Sequence, residues 1–257
     1  MDVNNEFGAL EIQKKLLVLL NEFHTFCVTN SIYYSLDWGS LLGAVRHKGF
    51  IPWDDDIDVM VDRQNYDKIV GRINNYKSLV FDASSPEALW ISRVRLHENN
   101  DGFNYPPMID IFIVDNAPNG SLARKWRLLC VLLLQGMLKK RPDFQKGNFI
   151  MKTCSFSSFL LGCLFSRKMK IKWYHKLSKL SNNITTHQVT SYYEEYSCMG
   201  KYYSSSLLKD FEIVKFEDIE VSITKKWNEC LCIQFGKDYM VPPEEKDRVS
   251  RHTNMFI

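Results

Sequence analysis

Residues 49–61 read GFIPWDDDIDVMV, with aspartates at 54, 55, 56 and 58 running straight into apolar residues. Four like charges so close together repel, so a chain that keeps them there needs something positive among them. In a strand, alternate side chains share a face. Asp56 and Asp58 then point to one side of a strand over 56–61, and Ile57, Val59 and Val61 point into a core. Asp54 and Asp55 follow Pro52 and are read as loop-shaping residues, or as a layer behind the ligands. Two carboxylates side by side are costly alone and favourable around a divalent cation. Oxygen ligands, waters and substrate phosphates suit Mg²⁺.

A third acid is expected from a neighbouring strand. MIDIFIVD (108–115) supplies Asp110, alone among apolar residues, with Ile109 and Ile111 facing the other way. Asp56, Asp58 and Asp110 are thus the candidate catalytic and metal-binding residues, for one or two Mg²⁺ ions with Mn²⁺ as a substitute. Two such ions can activate a nucleophile and stabilise a leaving oxygen in phosphoryl transfer. Upstream, DWGSLLGAVRHKG (37–49) supplies a phosphate element. Gly39 permits close backbone approach, Ser40 can donate a hydrogen bond, and a helix N-terminus favours anions. Arg46, His47 and Lys48 are placed to neutralise a diphosphate. Taken singly, each feature has a plainer reading, as a cap, a turn or a structural acid; their order along the chain is what points to metal-dependent phosphate chemistry.

The rest of the chain reads as α+β. Helices are expected over 8–29, from near Ser40 to Gly49, and over 62–76. Strands are expected over 32–38, 56–61, 78–83, 89–97 and 108–115. Two apolar and basic stretches, 123–140 and 154–180, read as helical, as does 185–199. A strand–turn–strand over 211–223 and a helix over 224–236 precede the tail. Three regions follow: a catalytic core over 1–120, a basic helical region over 121–200, and a C-terminal segment over 201–257 that packs back on the core.

Charge supports this division. Residues 121–180 hold fourteen Lys/Arg and one acid, Asp143, leaving nineteen basic and twenty-nine acidic residues elsewhere. The seven cysteines show no C-x-x-C pair, and reduced, mostly buried thiols are expected. With no secretory leader legible in the first residues and no apolar run of spanning length, the reading is a cytoplasmic protein.

The stretch GSLLGAVRHKGFIPWDDDIDVMV (39–61) resembles the LicD family, phosphocholine-type transferases related to the fukutin group. MIDIFIVD resembles that family's middle block, and FGKDYMVPPEEKDRVSRH (235–252) resembles its closing pattern. The resemblance implies a nucleotidyltransferase-like mixed sheet flanked by helices, with a helical basic insertion. It implies a CDP-activated alcohol as donor, a sugar hydroxyl of a glycan as acceptor, and CMP as leaving group. Gly39 and Ser40 match the phosphate element, Asp56 and Asp58 the metal pair, and Asp110 the third acid, which is also a candidate to take the hydroxyl proton. Ser40 stands where threonine is common, and Phe235 where tyrosine is usual.

Other residues have two readings each. Arg93 and Arg95 share a strand face, and either contact phosphates or face solvent. Lys246, Arg248 and His252 either fold over the site or belong to a plain tail. Tyr33, Tyr34, Trp38, Trp53 and Trp90 are candidates to meet a quaternary ammonium, or are core. Segment 121–180 either lies on an anionic membrane surface at the inner face of the cytoplasmic membrane, where a lipid-linked acceptor would be, or packs as a helical subdomain. Nucleic acid is not expected, because the basic residues interleave with long apolar runs. Two further functional classes stay open: nucleotide transfer from a nucleoside triphosphate with pyrophosphate release, and a non-catalytic nucleotide-binding scaffold.

Overall fold

The computed structural model describes residues 10–83, 91–97, 107–139, 149–194 and 198–248. The chain clusters into two units, one of Met1–Ala83, Ser92–Ile113 and Ser206–Ile257, the other of Ser84–Ile91 and Val114–Ser205.

The first unit is built on period-two alternation. Strand β2 (Ile57–Asp62) buries Ile57, Val59 and Val61 completely and leaves Asp58 on the other face, as the sequence predicts. Short β1 (Ser35–Leu36) pairs antiparallel with β2, Leu36 opposite Val59. Next to β2 comes β5 (Ile109–Asn116), then β4 (Ser92–Leu96) and β3 (Leu79–Asp82). The register of β4 on β5 sets Arg93 opposite Asp110. The architecture is α+β.

Helix α1 (Leu10–Thr29) buries Leu16, Leu19, Leu20, Phe23, Phe26 and Cys27, a stripe at helical spacing. Each such side chain contributes about 1.5–3 kcal/mol by leaving water. Helix α2 (Trp38–Arg46) follows β1, and α3 (Arg63–Arg72) follows β2 under an Asp62 cap that accepts from Asn65 N–H at 2.7 Å. The hairpin β8 (Phe211–Phe216) and β9 (Ile219–Thr224) forms as expected, and α7 (Trp227–Phe235) ends the regular structure.

The second unit holds α4 (Ser121–Leu138), α5 (Phe149–Cys163) and α6 (Arg167–Ser178), with β6 (Gln188–Ser191) and β7 (Tyr203–Ser204). The expected helix over 185–199 is corrected: its centre is β6, paired with the end of β5 from Val114 to Asn116. Thr, Val and Tyr side chains suit a pleated surface, and long-range pairing decides in its favour. The stretch 154–180 is two helices, broken where Ser166 caps α6 by accepting from Met169 N–H at 3.3 Å. The strand expected over 32–38 keeps only its central pair.

All seven cysteines are free, but only Cys27 and Cys230 are fully buried, and Cys154 and Cys163 are exposed. Among the described residues no helix is long and apolar enough to cross a membrane.

Candidate active site

The site forms where α2, the aspartate loop and β2 meet. Asp37 caps α2, its Oδ1 accepting from Trp38 N–H at 2.9 Å. The helix thus begins two residues earlier than expected, and Gly39 and Ser40 lie in its first turn, where amide groups have no helical acceptor. Trp38 takes φ +44, a left-handed conformation costly for a bulky residue and typical of over-determined functional segments. Ser40 is buried, and its hydroxyl accepts from Asp58 N–H at 3.0 Å. Asp37 N–H donates to Asp58 C=O at 2.9 Å. The backbone of Asp58 is therefore locked to the start of α2 on both sides.

The group that approaches Gly39 is the Asp54 carboxylate. A Cβ at Gly39 would stand 2.6 Å from Asp54 Oδ2, too close to coexist, so glycine is required for this packing. Asp54 Oδ2 at an N-terminal turn is also favoured by the helix dipole. Asp54, Asp55 and Asp56 each offer an oxygen within 4.8 Å of the others, and Asp55 is buried. The two aspartates read as loop-shaping thus belong to the carboxylate cluster itself.

Asp58 is the centre of the field. Its carboxyl is pushed well above the usual carboxylate range, by burial first and then by the charges of Asp56, Asp110, Asp37 and Asp54. Among the described residues no basic side chain forms an ion pair with it. So the three predicted ligands do lie within electrostatic reach of one another, and two further acids join them. Asp110 is held by Arg93, with Nε to Oδ1 at 2.6 Å and Nη2 to Oδ2 at 3.3 Å. Arg93 is buried, so it is not solvent-facing; it anchors an acid of the cluster. Arg95, two residues on, pairs with Asp82 at 2.9 Å near the surface.

A cluster of carboxylates at this spacing fits a hard divalent cation held by oxygen ligands. Asp37 adds to the same picture. Burial raises its carboxyl to about 6, while hydrogen bonds from Gln234, Trp38 and Cys230 pull the other way. Gln234 Nε2 donates to it at 2.6 Å from α7.

The basic side follows α2. Arg46 donates from Nη1 to Tyr239 C=O at 3.0 Å and from Nε to His47 Nε2 at 2.9 Å. Burial, then the charge of Arg248, holds Arg46 below its usual value, and burial with Arg46 lowers His47. Arg248 stacks over the Trp53 ring, 5.4 Å from its centroid. The tail therefore does return to the aspartate loop through Arg248. Lys246 does not take part: it is exposed and pairs with Glu244 at 2.6 Å. Lys48 is exposed as well, and its backbone, at φ +57, accepts from Glu217 N–H at 2.8 Å. His252 and Trp90 lie outside the described residues. The other aromatic candidates are occupied separately: Tyr33 stacks on Phe211, Tyr34 is core, and Trp38 meets Phe235 edge-on at 5.8 Å.

Three positioning residues escape a reading of the sequence. Gln13, buried on α1, donates to Asp54 C=O at 2.8 Å and Ile51 C=O at 3.2 Å, fixing the loop from forty residues away. Glu217, at the β8–β9 turn, accepts from Phe50 N–H at 2.9 Å and fills the space that a side chain at Gly49 would need. Asp37 has a signal in the sequence, as an acid just before a helix, but it ends a stretch, 32–38, whose composition reads as a strand.

Comparison with known proteins meets this geometry. Residues 31–103 match the LicD/FKTN/FKRP nucleotidyltransferase domain, which covers Gly39, Ser40 and the whole aspartate loop. The chain is 29% identical to the lipopolysaccharide cholinephosphotransferase LicD of Haemophilus influenzae, across 94% of this chain and 95% of that protein. An uncharacterized protein of Rickettsia prowazekii is 30% identical over 40% of this chain and 35% of its own length. One from Rickettsia typhi is 48% identical over 44 residues, 17% of this chain and 14% of its own. The chain is thus similar to the LicD/FKTN/FKRP nucleotidyltransferase domain over its aspartate loop, and to one LicD protein almost end to end.

Proposed function

We propose that this chain is a LicD-type phosphotransferase that moves a phosphocholine-type group from a CDP-activated alcohol to a sugar hydroxyl of a cell-surface glycan precursor, lipopolysaccharide being the model acceptor. The acceptor oxygen bonds to the distal phosphorus of the donor and its hydroxyl proton passes to solvent, the bond from that phosphorus to the bridging oxygen breaks, and CMP leaves. The single observation that carries the reading is the state of Asp58: a half-buried carboxyl, locked by its backbone to the start of α2 and surrounded by four other acids.

Asp56, Asp58 and Asp110 would hold Mg²⁺, one ion or two, with Asp54 and Asp55 close enough to share in the ligation. Bound there, the cation supplies charge neutralisation for the phosphoryl oxygens and for the departing CMP. The chain's own contribution is position. Ser40 and the first-turn amides of α2 offer donors to phosphate oxygens. Arg46 adds positive charge on the same side, and His47, a neutral imidazole that accepts from Arg46, holds that guanidinium in place. Both oxygens of Asp110 already accept from Arg93, which suits it to hold a fixed charge rather than to take the acceptor's proton. We include contact with the inner face of the cytoplasmic membrane through 121–180 in this reading, because a lipid-linked acceptor would be presented there.

The test is CMP release from a panel of CDP-alcohols with Mg²⁺ or Mn²⁺ and an extract containing the glycan acceptor. Release from one donor, abolished in Asp58→Asn, establishes the transfer and names the alcohol. Pyrophosphate release from nucleoside triphosphates, with no CMP from any donor, would replace this reading by nucleotide transfer.

A further inference from the structure

The helices of the second unit leave one side of themselves in water that their composition does not suit. On α4, Trp126, Leu129 and Leu133 recur at i, i+3 and i+7 and are all exposed, Trp126 at 68%. The opposite side of α4 is buried through Arg127, Val131, Gln135 and Leu138. On α5, Phe156, Leu160 and Leu164, at i, i+4 and i+8 and ending just beyond the helix, are exposed too. Its other side is pressed onto α4: a Cβ on Gly136 would stand 2.7 Å from Ser158 Cβ, and one on Gly162 2.4 Å from Met137 C=O. The choice between a packed subdomain and a surface helix therefore has a mixed outcome, since these helices pack on one side and stay apolar on the other. Twelve of the twenty large hydrophobic side chains exposed among the described residues fall within 122–184, which sets this unit apart from scattered surface apolarity.

The occupant is identified by charge and length. The segment 121–180 has fourteen basic residues and one acid, so two copies meeting through it would bring like charges together. An anionic partner is needed. Around the apolar positions stand Lys125, Lys152, Arg167, Lys168 and Lys172, and Trp173 follows on α6. Tryptophan and lysine flanking an apolar stripe suit the boundary between headgroups and acyl chains. With fifteen residues, α5 is about 22 Å long, short of the roughly 30 Å of a hydrocarbon core, so it can lie in a bilayer surface and not cross it.

We propose that the outer faces of α4 and α5 seat the protein on an anionic phospholipid surface, apolar side chains in the interfacial layer and the basic residues on the headgroups. This rests on the transferase reading for its purpose, delivery of the enzyme to a lipid-borne acceptor, and not for the binding itself.

Flotation of the full chain with vesicles of phosphatidylcholine alone, or with one quarter phosphatidylglycerol, tests it. Binding is expected with the anionic vesicles and is expected to weaken as salt rises. The double variant Phe156→Ser, Leu160→Ser changes exposed positions, so its fold, checked by circular dichroism, is retained and its vesicle affinity drops about tenfold or more. Lys168→Glu with Lys172→Glu is expected to lose the preference for anionic lipid. No flotation with either lipid, or flotation unchanged in the double variant, would overturn the proposal. So would a stable dimer by sedimentation that the double variant dissociates, because the face would then belong to a second copy. CMP release onto a soluble acceptor fragment separates the two readings: binding can fail with release intact, and release can fail with binding intact.

Discussion

Both units carry an excess of charge of one sign, and they handle it in opposite ways. The first gathers acids at one point and buries them in part: Asp37 and Asp55 are inside, and Asp58 lies under four neighbouring charges. The chain holds them there with ties from distant segments, Gln13 on α1, Ser40 on α2 and Arg93 on β4. The second unit spreads its lysines over its surface and buries few. Its internal cations are used on carbonyls: Arg127 donates to Leu177 C=O at 3.0 Å, and Lys170 donates to Met137 and Gly162 C=O at 2.8 and 2.9 Å, near the ends of α4 and α5. A charge needed at a point requires a scaffold that opposes its repulsion. A charge needed over an area requires only solvent.

The largest effect should come from removing the centre of the cluster. Asp58→Asn is expected to lower CMP release by about a thousandfold or more, because a ligand and a fixed charge are lost together. Without metal the same change should raise the melting temperature, since a desolvated and repelled carboxyl becomes neutral. Divalent cation should then stabilise the parent protein and not the variant, which calorimetry with and without Mg²⁺ reads directly. Full activity in the variant would show that the cluster does not work as assigned.

Arg93→Leu cuts the guanidinium tie from β4 to Asp110. It leaves a part-buried carboxylate without its partner, and a loss of about 3–5 kcal/mol is expected in urea unfolding. A loss below about 1 kcal/mol would mean that water or a neighbour replaces the guanidinium without difficulty, and that the pair is peripheral to the cluster.

Asp37 allows a check on burial alone. Its folded carboxyl lies near 6, above the ordinary 3.8, so the folded state holds the proton more tightly than the unfolded one between those values. Stability must then fall as pH rises through that window and stay lowered above it. At 1.36 kcal/mol for each unit, the contribution is on the order of 3 kcal/mol. Asn keeps the acceptor oxygen for Trp38 and Gln234 without the charge. In chelator, Asp37→Asn should match the parent near pH 4 and exceed it increasingly toward pH 7. A constant difference across that range would remove burial of charge as the cause.

The contrast between the units also explains what the sequence reveals. Strand β2 and its two faces are legible because alternation is local and half of it is core. The place of the cluster is legible because four aspartates before an apolar strand have few alternatives. Arg93 with Asp110 is not, since it depends on a strand register set by the sheet. Gln13 cannot be found either, because its partners are backbone carbonyls with no residue identity to read. Strand β6 was hidden for the same reason: its partner is the far end of β5, seventy-odd residues upstream, and local composition alone reads as a helix. In the second unit the helices and the charge are plain in the sequence, whereas the side left uncovered is a tertiary property.

The smallest effect tests where the acidic site ends and its basic rim begins. Arg248 lies over Trp53 and donates from Nε to Pro243 C=O at 3.0 Å. A stacked guanidinium at a partly exposed ring contributes about 0.5–1 kcal/mol, so Arg248→Ala should cost no more than that in stability. Its charge also bears on Arg46, which itself is tied to Tyr239 in the same tail. If the pair receives the donor diphosphate, removing one member weakens binding in ground and transition states alike. The donor KM should then rise a few-fold while kcat stays within about twofold. An unchanged KM would make the returning tail a matter of packing, and would confine the basic side of the site to α2. A fall in kcat with KM unchanged would instead extend the catalytic cluster's reach across Trp53 to the tail, and the sharp border between the acidic point and its rim would be lost.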